Sequence, residues 1–197
     1  MKQVLIIHGG SSFNSYESYF RDLQESTVKY ERLLPQQKWK PWVAEQISDT
    51  DVLLPTFPNG SNAVYEEWKI YFEKILPHLD LEHTQLVGHS LGAMFLAIYL
   101  NDNPLAKKVR RLVLISPAYD DESAEELGSF KVTSATNVVD STESVHLFHS
   151  QDDPVVPYSE LAKFERDLPS ATVHKFSKRG HFLDATFPEL LELLKQK

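Results

Sequence analysis

The sequence predicts a single α/β domain built on a doubly wound, mainly parallel sheet with helices on both faces. Three observations carry that prediction. Short, continuous apolar runs recur along the chain and stop at Gly or Pro, as strands buried on both faces do. Stretches with helical apolar spacing separate them, and such alternation implies parallel pairing through right-handed crossovers. The 197 residues suit one domain with one buried core, and no repeat, low-complexity tract or linker divides residues 1–197.

The first run is Val4-Leu5-Ile6-Ile7, ending at His8-Gly9-Gly10. The second is Asp51-Val52-Leu53-Leu54, stopped by Pro55. Thr84 to Val87 runs into Gly88, and Leu112-Val113-Leu114-Ile115 is stopped at Pro117. Val145 to His149 and Ala171 to Phe176 supply a fifth and a sixth strand. Between them, Trp39, Trp42, Val43 and Ile47 fall at helical spacing, as do Trp68, Tyr71, Phe72, Ile75 and Leu79. Leu91 to Leu100 is apolar nearly throughout, which predicts a helix buried against the sheet. Residues 158–168 make another helix. The last is expected to start at Thr186, with Glu189 completing a capping box and Pro188 in its first turn.

Composition excludes several function classes. A formal charge of −8 and a pI of about 5.5 argue against nucleic acid, which wants a basic surface, and against docking on anionic membranes. No cysteine is present, so disulfides, thiolate metal sites and a cysteine nucleophile are ruled out. Val4 to Ile7 is too short for a signal-peptide core, and no run approaches a membrane span. A cytoplasmic protein is the expectation. G-x-G-x-x-G and G-K-[ST] are both absent, which disfavours a nucleotide site.

In doubly wound sheets the chemistry lies at the carboxyl ends of the strands. Gly88-His89-Ser90-Leu91-Gly92 matches G-x-S-x-G at such an end, between a strand and a strong helix. In that context a tight turn holds the serine in strained backbone angles, and its neighbours two residues away must be small. Ser90 is therefore the candidate nucleophile, at a helix N-terminus whose partial positive charge favours an anion.

A serine needs a base to take its proton. Of His8, His78, His83, His89, His146, His149, His174 and His181, the last stands in the loop after the sixth strand. The chain order nucleophile, acid, histidine selects His181. After the fifth strand the chain reads Ser150-Gln151-Asp152-Asp153-Pro154-Val155-Val156-Pro157, and an acid there would hold the imidazole in one tautomer. Asp153 is preferred for its D-x-x-V-P spacing. Asp152 competes as a turn former, and Asp120 or Asp121 would serve if the acid followed the fourth strand. The oxyanion donors expected are the backbone N–H groups of Leu91, after the nucleophile, and Gly10, with Ser11 second to Gly10.

Together these motifs resemble the α/β-hydrolase superfamily, and within it the small serine hydrolases related to the retinoblastoma-binding serine hydrolase. The resemblance rests on Val4 to Gly10, Trp39-Lys40-Pro41-Trp42, Leu53-Leu54-Pro55, Phe57-Pro58-Asn59 and Glu67-Trp68. It rests also on Leu86 to Gly92, Asp152 to Pro157 and Gly180-His181-Phe182. It implies the α/β-hydrolase fold with six strands ordered 2-1-3-4-5-6, a Ser-Asp-His triad and no cofactor. The function expected is hydrolysis of a small carboxylic ester. A protein-binding module on the same fold and an acyltransferase using the same triad are the alternatives. The substrate expected is a small ester or related acyl compound, and no protein partner is indicated by the sequence.

Two segments bear on access. Residues 117–144 are mostly polar and too few for a large cap domain. Between Gly10 and Asp51 the chain spends about 40 residues, where a parallel crossover needs about a dozen. Tyr16, Tyr19, Phe20, Leu23 and Thr27 fall near one helical face there. Residues 11–37 are expected to act as a lid that limits substrate size, to form an oligomer contact, or to extend the core.

Overall fold

A computed structural model describes residues 2–196. Six strands form one sheet: β1 (Gln3–Ile7), β2 (Asp51–Leu53), β3 (Thr84–His89), β4 (Arg111–Ile115), β5 (Val145–Ser150) and β6 (Thr172–Phe176). Their order is β2-β1-β3-β4-β5-β6, and every pair is parallel. The chain has the α/β-hydrolase fold. The helices are α1 (Tyr16–Glu25), α2 (Tyr30–Leu33), α3 (Trp39–Gln46), α4 (Tyr65–Ile75), α5 (Leu91–Asp102), α6 (Glu160–Asp167) and α7 (Pro188–Lys195).

Strands β1 and β4 carry unbroken apolar runs because alternate side chains enter two separate cores. Leu5, Leu86, Leu112, Leu114 and Leu147 pack with α4, α5 and α6 on one face. Val4, Ile6, Val87, Val113, Ile115 and Phe148 pack with α3 and α7 on the other. Each such fully buried side chain stabilises the fold by roughly 1.5–3 kcal/mol. Helix α5 is buried on almost every side, as its lack of polar residues predicts. It stands between the sheet, α4 and the short turns Gly128–Phe130 and Thr136–Asp140. Those turns lie in residues 117–144, which form an irregular covering and no cap domain.

Two expectations need correction. Helix α7 begins at Pro188, after Phe187, with no side-chain cap, so the capping box of Thr186 and Glu189 does not form. Phe187 is fully buried against Trp39, Phe148 and Phe182, and that packing sets the helix start. Arg179 meanwhile draws both the Thr186 carbonyl and the Glu189 carboxylate to itself. The other concerns residues 11–37. Helices α1 and α2 contain no buried residue, so this segment does not extend the core. Tyr16, Phe20 and Leu23 stand in solvent. No helix among the described residues is long and apolar enough to cross a membrane.

Candidate active site

The site assembles at the carboxyl ends of β1, β3, β5 and β6. Ser90 joins β3 to α5 with φ 54° and ψ −122°, a conformation that a non-glycine residue adopts only when its surroundings impose it. Three hydrogen bonds do the imposing. The Ser90 N–H donates to the Ile115 carbonyl at 2.8 Å, and the Ser90 carbonyl accepts from Ala93 and Met94. Position 92 must be glycine, since a Cβ there would lie 2.6 Å from the carbonyl oxygens of Ile7 and His8. The same closeness brings the loop after β1 against the nucleophile. Ser90 Oγ itself has no hydrogen-bond partner among the described residues.

Asp153 and His181 meet side chain to side chain at this edge. His181 Nδ1 lies 2.8 and 3.0 Å from the two carboxylate oxygens of Asp153, with both side chains almost wholly buried. A carboxylate only accepts, so the His181 proton sits on Nδ1 and Nε2 is left as the basic nitrogen (assigned from the hydrogen-bond network). Burial pushes the Asp153 carboxyl up. The His181 hydrogen bond and charge, with the Val155 and Val156 N–H groups, outweigh burial and hold it below the usual carboxylate range. Those two N–H groups explain the D-x-x-V-P spacing.

The competing acids are occupied elsewhere. Asp152 accepts from Gly180 N–H at 2.9 Å and from Ser150 Oγ, and Ser150 Oγ accepts from Arg179 N–H. It anchors the loop that carries His181. Asp120 pairs with Lys163, and Asp121 closes a turn onto Ser123 N–H. The buried Glu160 carboxylate accepts from the N–H groups of Tyr119, Asp120 and Asp121, which bends this stretch around α6. His146 and His174 bond to each other across β5 and β6. Among the described residues no group of three or more such side chains is gathered as metal ligands would be.

The two predicted oxyanion donors are free to act. Leu91 is the first residue of α5, where N–H groups lack helical partners. Gly10 N–H has no partner among the described residues, whereas Ser11 N–H donates to Gly60 at 3.0 Å. Gly10 is thus the better placed of the pair. The loop is held by His8, whose Nε2 accepts from Phe57 N–H and whose Nδ1 donates to the Gly9 carbonyl.

A pocket of ≈ 20 Å³ opens beside Ser90, Leu91 and Gly10. Ligand sites are usually a few hundred Å³, so this one admits only a small group as it stands. Its remaining walls include Met94, Ala118, Val155 and Val156, together with Asp121, Glu125 and Glu126. The walls come from the loop after β1, the start of α5, the segment after β4 and the stretch after Asp153, and of residues 11–37 Ser12 alone lines the pocket. The chain around the start of α1 meets the pocket wall at Glu126, which accepts from Asn14 N–H and Ser18 Oγ. A larger hollow of ≈ 220 Å³ lies at the amino ends of the strands, near Lys2, Asp49 and Arg110, and holds none of the candidate residues.

Sequence reasoning missed two residues that touch the His181 loop and a third that touches one of them. Trp39 Nε1–H donates to the Phe182 carbonyl at 2.9 Å, and His89 Nε2–H donates to the His181 carbonyl at 2.8 Å. Lys40 Nζ lies 3.3 Å from His89 Nδ1. The signal available was the Trp39-Lys40-Pro41-Trp42 piece, which has no local reason to place a lysine between two tryptophans.

Known proteins resemble this chain over most of its length. Residues 34–195 match the model of a family described as serine hydrolase. The serine hydrolase RBBP9 of Rattus norvegicus is 31% identical over 165 residues, covering 80% of this chain and 84% of that protein. The YdeN hydrolase of Bacillus subtilis is 27% identical over 156 residues, covering 74% and 78%. The solved structure of the ydeN gene product superposes with a TM-score of 0.78 at 22% identity, over 98% of this chain and 97% of that one.

Proposed function

Because the chain belongs to the serine hydrolase family, we propose that it cleaves a small carboxylic ester through Ser90, His181 and Asp153 by way of an acyl-enzyme. The observation that carries this reading is the buried Asp153–His181 pair at the sheet edge where Ser90 is held in strained backbone angles. Ser90 Oγ attacks the ester carbonyl carbon while His181 Nε2 takes its proton. The carbonyl oxygen becomes an oxyanion and is met by the N–H groups of Leu91 and Gly10. Losing one such donor costs a typical site about 10²- to 10³-fold in kcat. His181 then returns the proton to the departing alkoxide oxygen. Water, deprotonated by the same nitrogen, releases the acid and restores Ser90. Asp153 stabilises the imidazolium throughout.

The pocket's size supports a short acyl group, and its mixed lining supports a substrate without its own carboxylate near the scissile bond. Asp121, Glu125 and Glu126 would repel one. The test is hydrolysis of a series of esters of increasing acyl length, with Ser90→Ala as control. Turnover should be highest for short acyl chains, and equal rates in protein and control would overturn the reading.

Activity should also depend on pH in one direction. Asp153 is held below the usual carboxylate range, so it stays ionised when pH falls through the imidazole range. The rate is expected to fall on acidification, because a base must be unprotonated to accept the serine proton. A rate that stays flat down to about pH 4 contradicts a histidine base.

A further inference from the structure

We propose that Trp39, Lys40 and His89 are positioning residues for the base, holding the two carbonyls on either side of a strained turn in the loop that carries His181. This rests on the triad proposed above and concerns residues outside it. Phe182 follows His181 and has φ 51°, a left-handed conformation that a bulky aromatic side chain adopts only when its surroundings compel it. The peptide planes flanking Phe182 end in the His181 and Phe182 carbonyls. His89 Nε2–H holds the first at 2.8 Å and Trp39 Nε1–H the second at 2.9 Å. Both planes of the strained residue are therefore fixed from the same side, by α3 and by the residue before the nucleophile. Asp152 and Ser150 fix the other end of the loop through Gly180 and Arg179.

Lys40 completes the arrangement by setting the His89 ring. A carbonyl can only accept, so the proton that His89 gives to His181 O must be on Nε2. Nδ1 is then an acceptor, and Lys40 Nζ donates to it at 3.3 Å while lying 4.5 Å from the centre of the Trp39 ring. His89 is 3% exposed and Trp39 2%. Burial, then the charges of Lys40 and His181, keep His89 well below its ordinary value and hence neutral, against smaller upward pulls from the hydrogen bond to the His181 carbonyl and from Asp153. The ring thus stays one tautomer, pointing its one N–H at the loop.

The lysine is costly where it stands, which separates this role from plain packing. Burial, helped by Lys38, lowers its ammonium from 10.5 to about 8. The folded chain binds Lys40's proton more weakly than the unfolded chain does. Stability therefore rises with pH between about 8 and 10.5, and below that window the full penalty is present. A side chain kept only for packing would stabilise the fold at neutral pH.

The experiment compares Lys40→Met, Lys40→Arg and Trp39→Phe with the unaltered protein in kcat, KM and melting temperature. Ser90→Ala serves as the zero. Lys40→Met and Trp39→Phe are expected to lose about 10- to 10²-fold in kcat, the scale of a misplacement of about 1 Å, with KM little changed. Lys40→Arg should recover part of the loss. Lys40→Met should melt at or above the unaltered protein at pH 7, and the gap should close as pH rises through the window above. Trp39→Phe removes only the N–H and part of a ring, and if it unfolds, Lys40→Met decides. An inactive Ser90→Ala beside a Lys40→Met with full kcat would overturn the positioning role alone. An active Ser90→Ala would overturn the triad beneath it.

Discussion

Replacing Ser90 by alanine is expected to abolish ester hydrolysis, by roughly 10⁶-fold in kcat, while leaving the fold intact. The hydroxyl has no hydrogen-bond partner among the described residues, so its removal breaks no internal contact. The backbone of Ser90 is pinned by Ile115, Ala93 and Met94 through main-chain groups that alanine also has. Steady-state rates and a thermal melt check both halves of the result. Further removal of Asp153 from this variant should cost little more, because the triad acts as a unit. Residual hydrolysis above water is expected from the N–H groups of Leu91 and Gly10 alone.

Asp153→Asn carries the second large effect, a loss of about 10⁴-fold in kcat with the geometry near native. Asparagine keeps an oxygen for the Val155 and Val156 N–H groups. Its other end is an amide donor facing His181 Nδ1, so the imidazole must move its proton to Nε2. That nitrogen then cannot accept from Ser90. Asp152→Asn keeps the acceptor for Gly180 N–H and should lower kcat far less. The reverse ranking would move the acid to Asp152. A large loss in Asp121→Asn beside a near-normal Asp153→Asn would move it to the segment after β4.

Most of the fold was legible because a parallel sheet covered on both faces leaves a local trace. Val4 to Ile7 and Leu112 to Ile115 are apolar without alternation, Thr84 to Val87 is apolar in its second half, and each lies inside the sheet. Ser90, Asp153 and His181 were expected together for a related reason, since each lies in the turn or loop after a strand and the topology gathers those strand ends at one edge. The start of α7 was not, because Phe187 obeys packing against residues far along the chain rather than the local capping pattern. The hold of Trp39 on Phe182 spans 143 positions, and that of His89 on His181 spans 92. No periodicity records such contacts. Helix α1 shows the opposite case. Its amphipathic spacing was read correctly as a helix, yet its apolar face meets solvent, because spacing says nothing of what lies opposite. The pocket walls likewise draw on Ala118 to Leu127, a stretch without periodic signal, while the segment expected to form a lid contributes Ser12 alone.

The central claim is that Ser90 is the nucleophile of an acyl-transfer site. Its most direct measurement is covalent labelling with a fluorophosphonate, followed by mass spectrometry of the digested protein. One adduct is expected, on the Oγ of Ser90, with labelling that slows on acidification and is lost in Ser90→Ala. No adduct at all, or an adduct on another serine that persists in Ser90→Ala, would contradict it.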